Sequence, residues 1–205
     1  MKKHAKKQLS KASLDTTKTI AQPLFIEYSE PEEIIANLIP FIYKKGPSLP
    51  FSEFDEVAEN IWVHKTASLS SNVKIDAPAI ICSGAKLCHG AHVRASIIGS
   101  FVNVGDNCHV VGSVVFDRAK LNFSDMVCGS IIGHGARIAS CVSVSEESYF
   151  NPSSNGRIGS VIGDFAHVGA CSVVGSGIII DEYATVPPLS TVCKSVKAFS
   201  VFKGK

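Results

Sequence analysis

The feature that most constrains this chain is a six-residue interval between large aliphatic residues. Val63, Leu69, Ile75, Ile81, Leu87 and Val93 stand six apart. A step of five leads to Ile98, Val104 and Val110, a second to Val115, Leu121 and Val127, and a third to Ile132, Ile138 and Val144. After an interruption the interval returns at Ile162, Val168, Val174, Ile180, Val186 and Val192. A small residue precedes most of these by two places, among them Ala79, Ala85, Ala91, Ser96, Cys108, Ser113 and Ser130. An amphipathic helix repeats near 3.6 residues and a two-faced strand every 2, so neither fits. A hexapeptide repeat fits, and it predicts a parallel β-helix.

Three hexapeptides close one triangular coil. The large aliphatic residue fills the interior, and the small one lets the chain turn inward at a corner. The repeats therefore predict an all-β fold of about seven coils, a prism roughly 34 Å long at the usual strand spacing. The coils are expected over residues 61–193, interrupted by a loop at 146–160 that leaves the prism between the fifth and sixth coils. Long loops on a repeat scaffold are often functional, with disorder as the competing explanation. Residues 194–205 are expected to cap the end of the stack, which repeat proteins need to prevent edge pairing.

The N-terminal part has a different character. Residues 1–20 hold six lysines against Asp15, which leaves the remainder of a +2 chain at −3. Residues 1–22 read as a flexible basic arm, or else as an anchor to a membrane surface or partner. No signal-peptide core and no 18-residue apolar run is present, so neither secretion nor a membrane span is expected. The body is not basic enough to suggest a nucleic-acid partner. Residues 23–60 read as a helical segment and linker. The helix is expected over 31–45, started by Glu30 and Pro31 and kinked or broken by Pro40. Seven cysteines without a CxxC pair read as small packing residues in a reducing cytoplasm.

Residues just before each core aliphatic point outward, and every third one stacks on the same face. One face, Trp62, Ile80, Ile97, Val114, Ile131, Val161 and Ile179, is wholly apolar. Such a ladder marks burial against something else; a homotrimer built on it is expected, with cover by the N-terminal helix as the other solution. A second face carries Ser68, Lys86, Asn103, Lys120, Arg137, His167 and Thr185; Lys120, Arg137 and His167 on successive coils could hold a phosphate, with an ordinary solvated face as the other reading. A third carries His92 and His109, then Met126, Ser143 and Val173. His92 and His109 are the candidate general bases, and His134 in a corner is a weaker one. His92, His109 and His134 lack the spacing of a three-histidine metal site, so no metal is expected.

The stretch NCHVVGSVVFDRAKLNFSDMVCGSIIGHGARIAS, residues 107–140, carries a family resemblance in its GS…AK…GSIIG framing. From about Trp62 to Val192 the chain resembles the hexapeptide-repeat acetyltransferase domain of the bifunctional bacterial UDP-N-acetylglucosamine pyrophosphorylase/glucosamine-1-phosphate N-acetyltransferase. It is also similar to small single-domain relatives that begin with a short helical segment. The resemblance implies a left-handed β-helix, a trimer, and acetyl transfer from acetyl-CoA, as co-substrate, to a sugar amine. It also implies a histidine base, but that position holds Phe123, preceded by Asn122. Met126 stands at the family tyrosine, Val111 at a lysine, Arg137 at an asparagine and Ala170 at a serine. Arg94 and Arg157 stand at basic family positions and are candidate substrate- or phosphate-binding residues. Two functions remain open: an acyltransferase using His92 or His109 on an amino sugar or nucleotide-sugar-related substrate, or a catalytically silent paralogue that binds ligand or acts as a scaffold.

Overall fold

In the computed structural model, which describes residues 13–144 and 158–204, the repeats wind a left-handed parallel β-helix. Every aliphatic of the six-residue interval from Ile81 onward lies in one continuous core. Only the first coil departs: Leu69 is 42% exposed and Ile75 is partly covered, because no coil lies beneath them. The three outward ladders stack in the expected register. Trp62, Ile80, Ile97, Val114, Ile131, Val161 and Ile179 pair in sequence. Lys86, Asn103, Lys120, Arg137, His167 and Thr185 do so on the basic face. Lys74, His92, His109, Met126, Ser143 and Val173 do so on the histidine face.

The five-residue steps have a chemical basis. They fall at the corner between the histidine and apolar faces, where the small residue is a buried serine. Ser113 N–H donates to the Ser96 hydroxyl, Ser130 N–H to Ser113 and Ser160 N–H to Ser130, each at 3.0 Å. The shortened turn leaves an amide facing the neighbouring coil, and the hydroxyl one coil away accepts its hydrogen bond. Alanine fills many of the six-residue corners, such as those of Ala85, Ala91, Ala119 and Ala136, and could not satisfy that amide. The same bond recurs at one six-residue corner, where Ser190 N–H donates to the Ser172 hydroxyl at 3.2 Å.

The apolar ladder is not a subunit contact; the chain's own N-terminal segment covers it. Helix α1 (Gln22–Glu27), α2 (Pro31–Ala36) and α3 (Leu38–Lys45) place Leu24, Ile34, Leu38 and Ile42 against the ladder. Ile80, Ile97, Val114 and Ile131 are thereby fully buried. Phe116 joins them, with the Phe25 ring edge-on at 5.2 Å. The trimer contact expected on this face is thus corrected: intramolecular cover removes the exposure that motivated it. Gly46 follows α3 at the point where the Trp62 indole occupies the space of a side chain, so only glycine fits.

Pro31 opens α2 at its first turn, with Glu30 as the residue before it. The expected break comes at Asn37, between α2 and α3, three residues before Pro40. Proline cannot donate to the Ala36 carbonyl, and restarting the helix puts it in a first turn, where no donor is required. Two expectations fail nearby. The linker contains strand β1 (Phe54–Ala58), antiparallel to β2 (Ile61–His64). Residues 13–22, expected to be loose, are held along the prism. Ser13 N–H donates to Asp181 Oδ1 at 2.9 Å, Asp15 N–H to Asp164 Oδ2 at 2.6 Å, and Asp117 N–H to the Lys18 carbonyl at 3.0 Å. At the far end Val196 and Phe202 complete the core, beyond the last full coil. The expected 146–160 loop falls mostly outside the described residues.

Candidate functional site

The histidine face holds the best-organised group of ionisable residues. Parallel pairing puts His92 between Lys74 and His109 on adjacent coils. The two imidazole rings meet edge to face at 5.5 Å. Asp76 lies two residues beyond Lys74 on the same strand, and its Oδ2 sits 2.7 Å from His92 Nε2. Lys74 Nζ approaches that oxygen at 3.2 Å. The His92 hydrogen bond is the main reason the Asp76 carboxyl titrates below the usual carboxylate range. A carboxylate holding Nε2–H leaves Nδ1 of a neutral His92 as the proton acceptor. The His92 side chain is 21% exposed, a ring mostly held by packing with an edge open to solvent. Arg94 pairs with Asp76 across the strands and is exposed.

The expected phosphate-binding residues lie elsewhere, on the basic face. Lys120, Arg137 and His167 stack on successive coils and are exposed. With Arg118 they line an open cavity of about 530 Å³, bounded by Gly135, Phe165 and Tyr183. Gly135 has φ +64°, and the Phe165 ring fills the place of its missing side chain. Phe165, Tyr183 and Phe199 form a stack at 5.0 Å intervals. The Arg118 guanidinium lies 5.3 Å over the Phe101 ring. Among the described residues no carboxylate forms an ion pair with these cations. Like charges one strand apart repel, so the groove favours an anion.

The candidate residues therefore form two groups: His92, His109 and Arg94 on one face, and Lys120, Arg137 and His167 on another. Arg157 lies outside the described residues. Phe123 and Met126, at the altered family positions, are each 47% exposed along the edge between these faces, and neither side chain accepts a proton. His134 is turned edge-on to Phe165 at 5.3 Å, beside the basic group and apart from the His92–His109 pair.

Sequence reasoning missed Asp76, Arg118 and the aromatic stack. Asp76 was within reach, since it is two residues from Lys74, the ladder neighbour of His92. The aromatics carried a signal too: Phe165 and Tyr183 immediately precede Ala166 and Ala184, small residues at one corner.

The fold and these ladders define a hexapeptide-repeat β-helix protein. In agreement, residues 64–149 match the family model described as GlmU-like, C-terminal hexapeptide. That match contains the stretch at 107–140 that carries the resemblance. No curated protein matches the sequence. Among solved structures, the acetyltransferase domain of PglB from Neisseria gonorrhoeae FA1090, in complex with acetyl coenzyme A, is 18% identical with a TM-score of 0.38, covering 60% of this chain and 46% of that one. The UDP-N-acetylglucosamine O-acyltransferase LpxA from Moraxella catarrhalis RH4 is 15% identical with a TM-score of 0.43, covering 68% and 70%. A point mutant of AntD, an N-acyltransferase from Bacillus cereus, is 16% identical with a TM-score of 0.38, covering 70% and 75%. The chain spans about half the length of the first of these. Among the described residues no helix is long and apolar enough to cross a membrane.

Proposed function

We propose that this protein transfers an acyl group, acetyl in the simplest case, from acyl-CoA to the amine of an amino sugar or nucleotide-sugar-related acceptor. The reading rests on one observation: Asp76 holds His92 at 2.7 Å on an outward-facing strand. In the reaction the acceptor nitrogen attacks the thioester carbonyl and gives its proton to His92 Nδ1. The thiolate of coenzyme A leaves and takes that proton. Asp76 fixes the tautomer and stabilises the imidazolium. His109, one coil away, is the alternative base. Lys120, Arg137 and His167 supply the anion-binding surface for a phosphate of donor or acceptor, with Arg94 contacting substrate beside the dyad. A homotrimer remains part of the proposal. With the apolar face already covered, its contacts fall to the histidine face and the edge bearing Phe123, Met126 and Val173, all partly exposed.

A second reading is favoured by Phe123. It stands at the position of the family base without a replacement there, as in a catalytically silent, ligand-binding paralogue. One experiment separates the two. Purified protein is titrated with coenzyme A, then assayed for thiol release from acetyl-CoA across a panel of amino-sugar phosphates. Turnover that falls by about 10²–10⁴ in His92→Ala, but not in His134→Ala, supports the transferase. Coenzyme A binding with no turnover on any acceptor supports the silent paralogue.

A further inference from the structure

Three of the seven cysteines, Cys141, Cys171 and Cys193, are exposed, against the expectation of packing residues. Two of these share one corner of the prism. Ser143 pairs with Val173 in a parallel register, and Cys141 and Cys171 each lie two residues earlier. Cys171 N–H donates to the Ser140 carbonyl at 3.0 Å, which locks the corner into the same register. Both cysteines adopt the left-handed conformation, with φ of 62° and 56°, so their side chains leave the backbone in parallel. The Cys171 side chain is near enough to Cys141 to help raise the Cys141 thiol. At the roughly 4.8 Å spacing of adjacent strands, the Cα atoms fall within the 4.4–6.8 Å range that a disulfide spans.

We infer that Cys141 and Cys171 form a dithiol modification site that closes to a disulfide between the fifth and sixth coils. The oxidant is a low-molecular-weight disulfide. One protein thiolate attacks it, releasing one small thiol and forming a mixed disulfide. The second protein thiolate attacks the sulfur of its protein neighbour and releases the second small thiol. The protein loses two hydrogens, and the two electrons that accompany them reduce the small disulfide. Directly stacked side chains hold their Cβ atoms near the outer limit of a relaxed bridge, so the bond is readily reversed by a dithiol reductant. Partial desolvation, and then the Cys171 neighbour, raise the Cys141 thiol above its ordinary value. The reaction accordingly accelerates as pH rises toward the thiol range.

The test incubates the full chain with oxidised glutathione, blocks residual thiols, and maps peptides by mass spectrometry. Cys193 serves as an internal reference for an exposed thiol without a stacked partner in this ladder. The expected product is a linked peptide pair containing Cys141 and Cys171, lighter by two hydrogens and restored by dithiothreitol. In Cys141→Ser the remaining Cys171 should accumulate a stable glutathione adduct, because no neighbour resolves it. Circular dichroism checks that the variant keeps its fold. Separate glutathione adducts on Cys141 and Cys171 in the wild type, without a cross-link, overturn the inference. So does blocking of both as unreacted thiols under conditions that modify Cys193.

Discussion

At the scale of single residues, the carboxylates divide by what surrounds them. Asp76 is held ionised by His92 and Lys74, and its task is to orient the imidazole. Asp76→Asn should lower kcat by roughly 10²–10⁴, the range for a base left in the wrong tautomer, with a smaller change in KM. Steady-state kinetics check the split; an unchanged kcat removes Asp76 from the mechanism. Asp125 is the opposite case. Its carboxylate accepts from Asn122 N–H at 2.8 Å and Val142 N–H at 2.9 Å, tying two coils together. Burial nevertheless raises its pKa to about 6. The folded state thus binds a proton that the unfolded chain, near the ordinary value of about 4, has released. Stability contributed by this group is greatest below pH 4 and is lost as pH rises through 6, by on the order of 2–3 kcal/mol. Urea unfolding between pH 4 and 7 should show that slope in the wild type and not in Asp125→Asn. Equal slopes in the two proteins would falsify it.

At the scale of elements, the serine ladder explains why corners of the same prism use different small residues. Ser113→Ala keeps the volume but strands the Ser130 amide in a dry corner, at about 1–3 kcal/mol. Ala119→Ser, at a corner where no amide is waiting, should gain nothing comparable. Chemical denaturation of the two variants distinguishes a hydrogen-bond role from a packing role. The same contrast shows what could be read from the residues in advance. Coil number, register and all three outward ladders were legible, because a six-residue period leaves one way to stack aliphatics inward. The chemistry of the corners was not, since Ser and Ala look alike to a rule that asks only for small side chains. Asp76 was missed for a related reason. The repeat identifies partners directly above one another, whereas the His92 contact runs diagonally, to a residue two places along the neighbouring strand. Strand β1 and the pinned segment at 13–22 were missed because their partners are distant in sequence and their own patterns are short.

At the scale of the whole molecule, an apolar ladder along the prism has to be covered, and the cover decides what a mutation there reports. If subunits met on this face, Ile97→Asp would separate them and leave the coils intact. Here α1, α2 and α3 pack on it, and Ile97 is fully buried within one chain. A carboxylate at that position has no partner and no water, so the fold itself should lose about 3–5 kcal/mol. Light scattering and denaturation, measured on the same samples, decide between these outcomes. The expected result is a lower denaturation midpoint with the subunit number of the surviving folded protein unchanged. Dissociation at an unchanged midpoint would mean that the helices leave the ladder and a second chain replaces them. Met126→Asp provides the complementary arm. Met126 is about half exposed on the edge assigned to self-association, and a charge there costs the isolated fold little. Reduced subunit number with a preserved midpoint is expected of that variant, because the contact it disturbs lies between chains rather than within one.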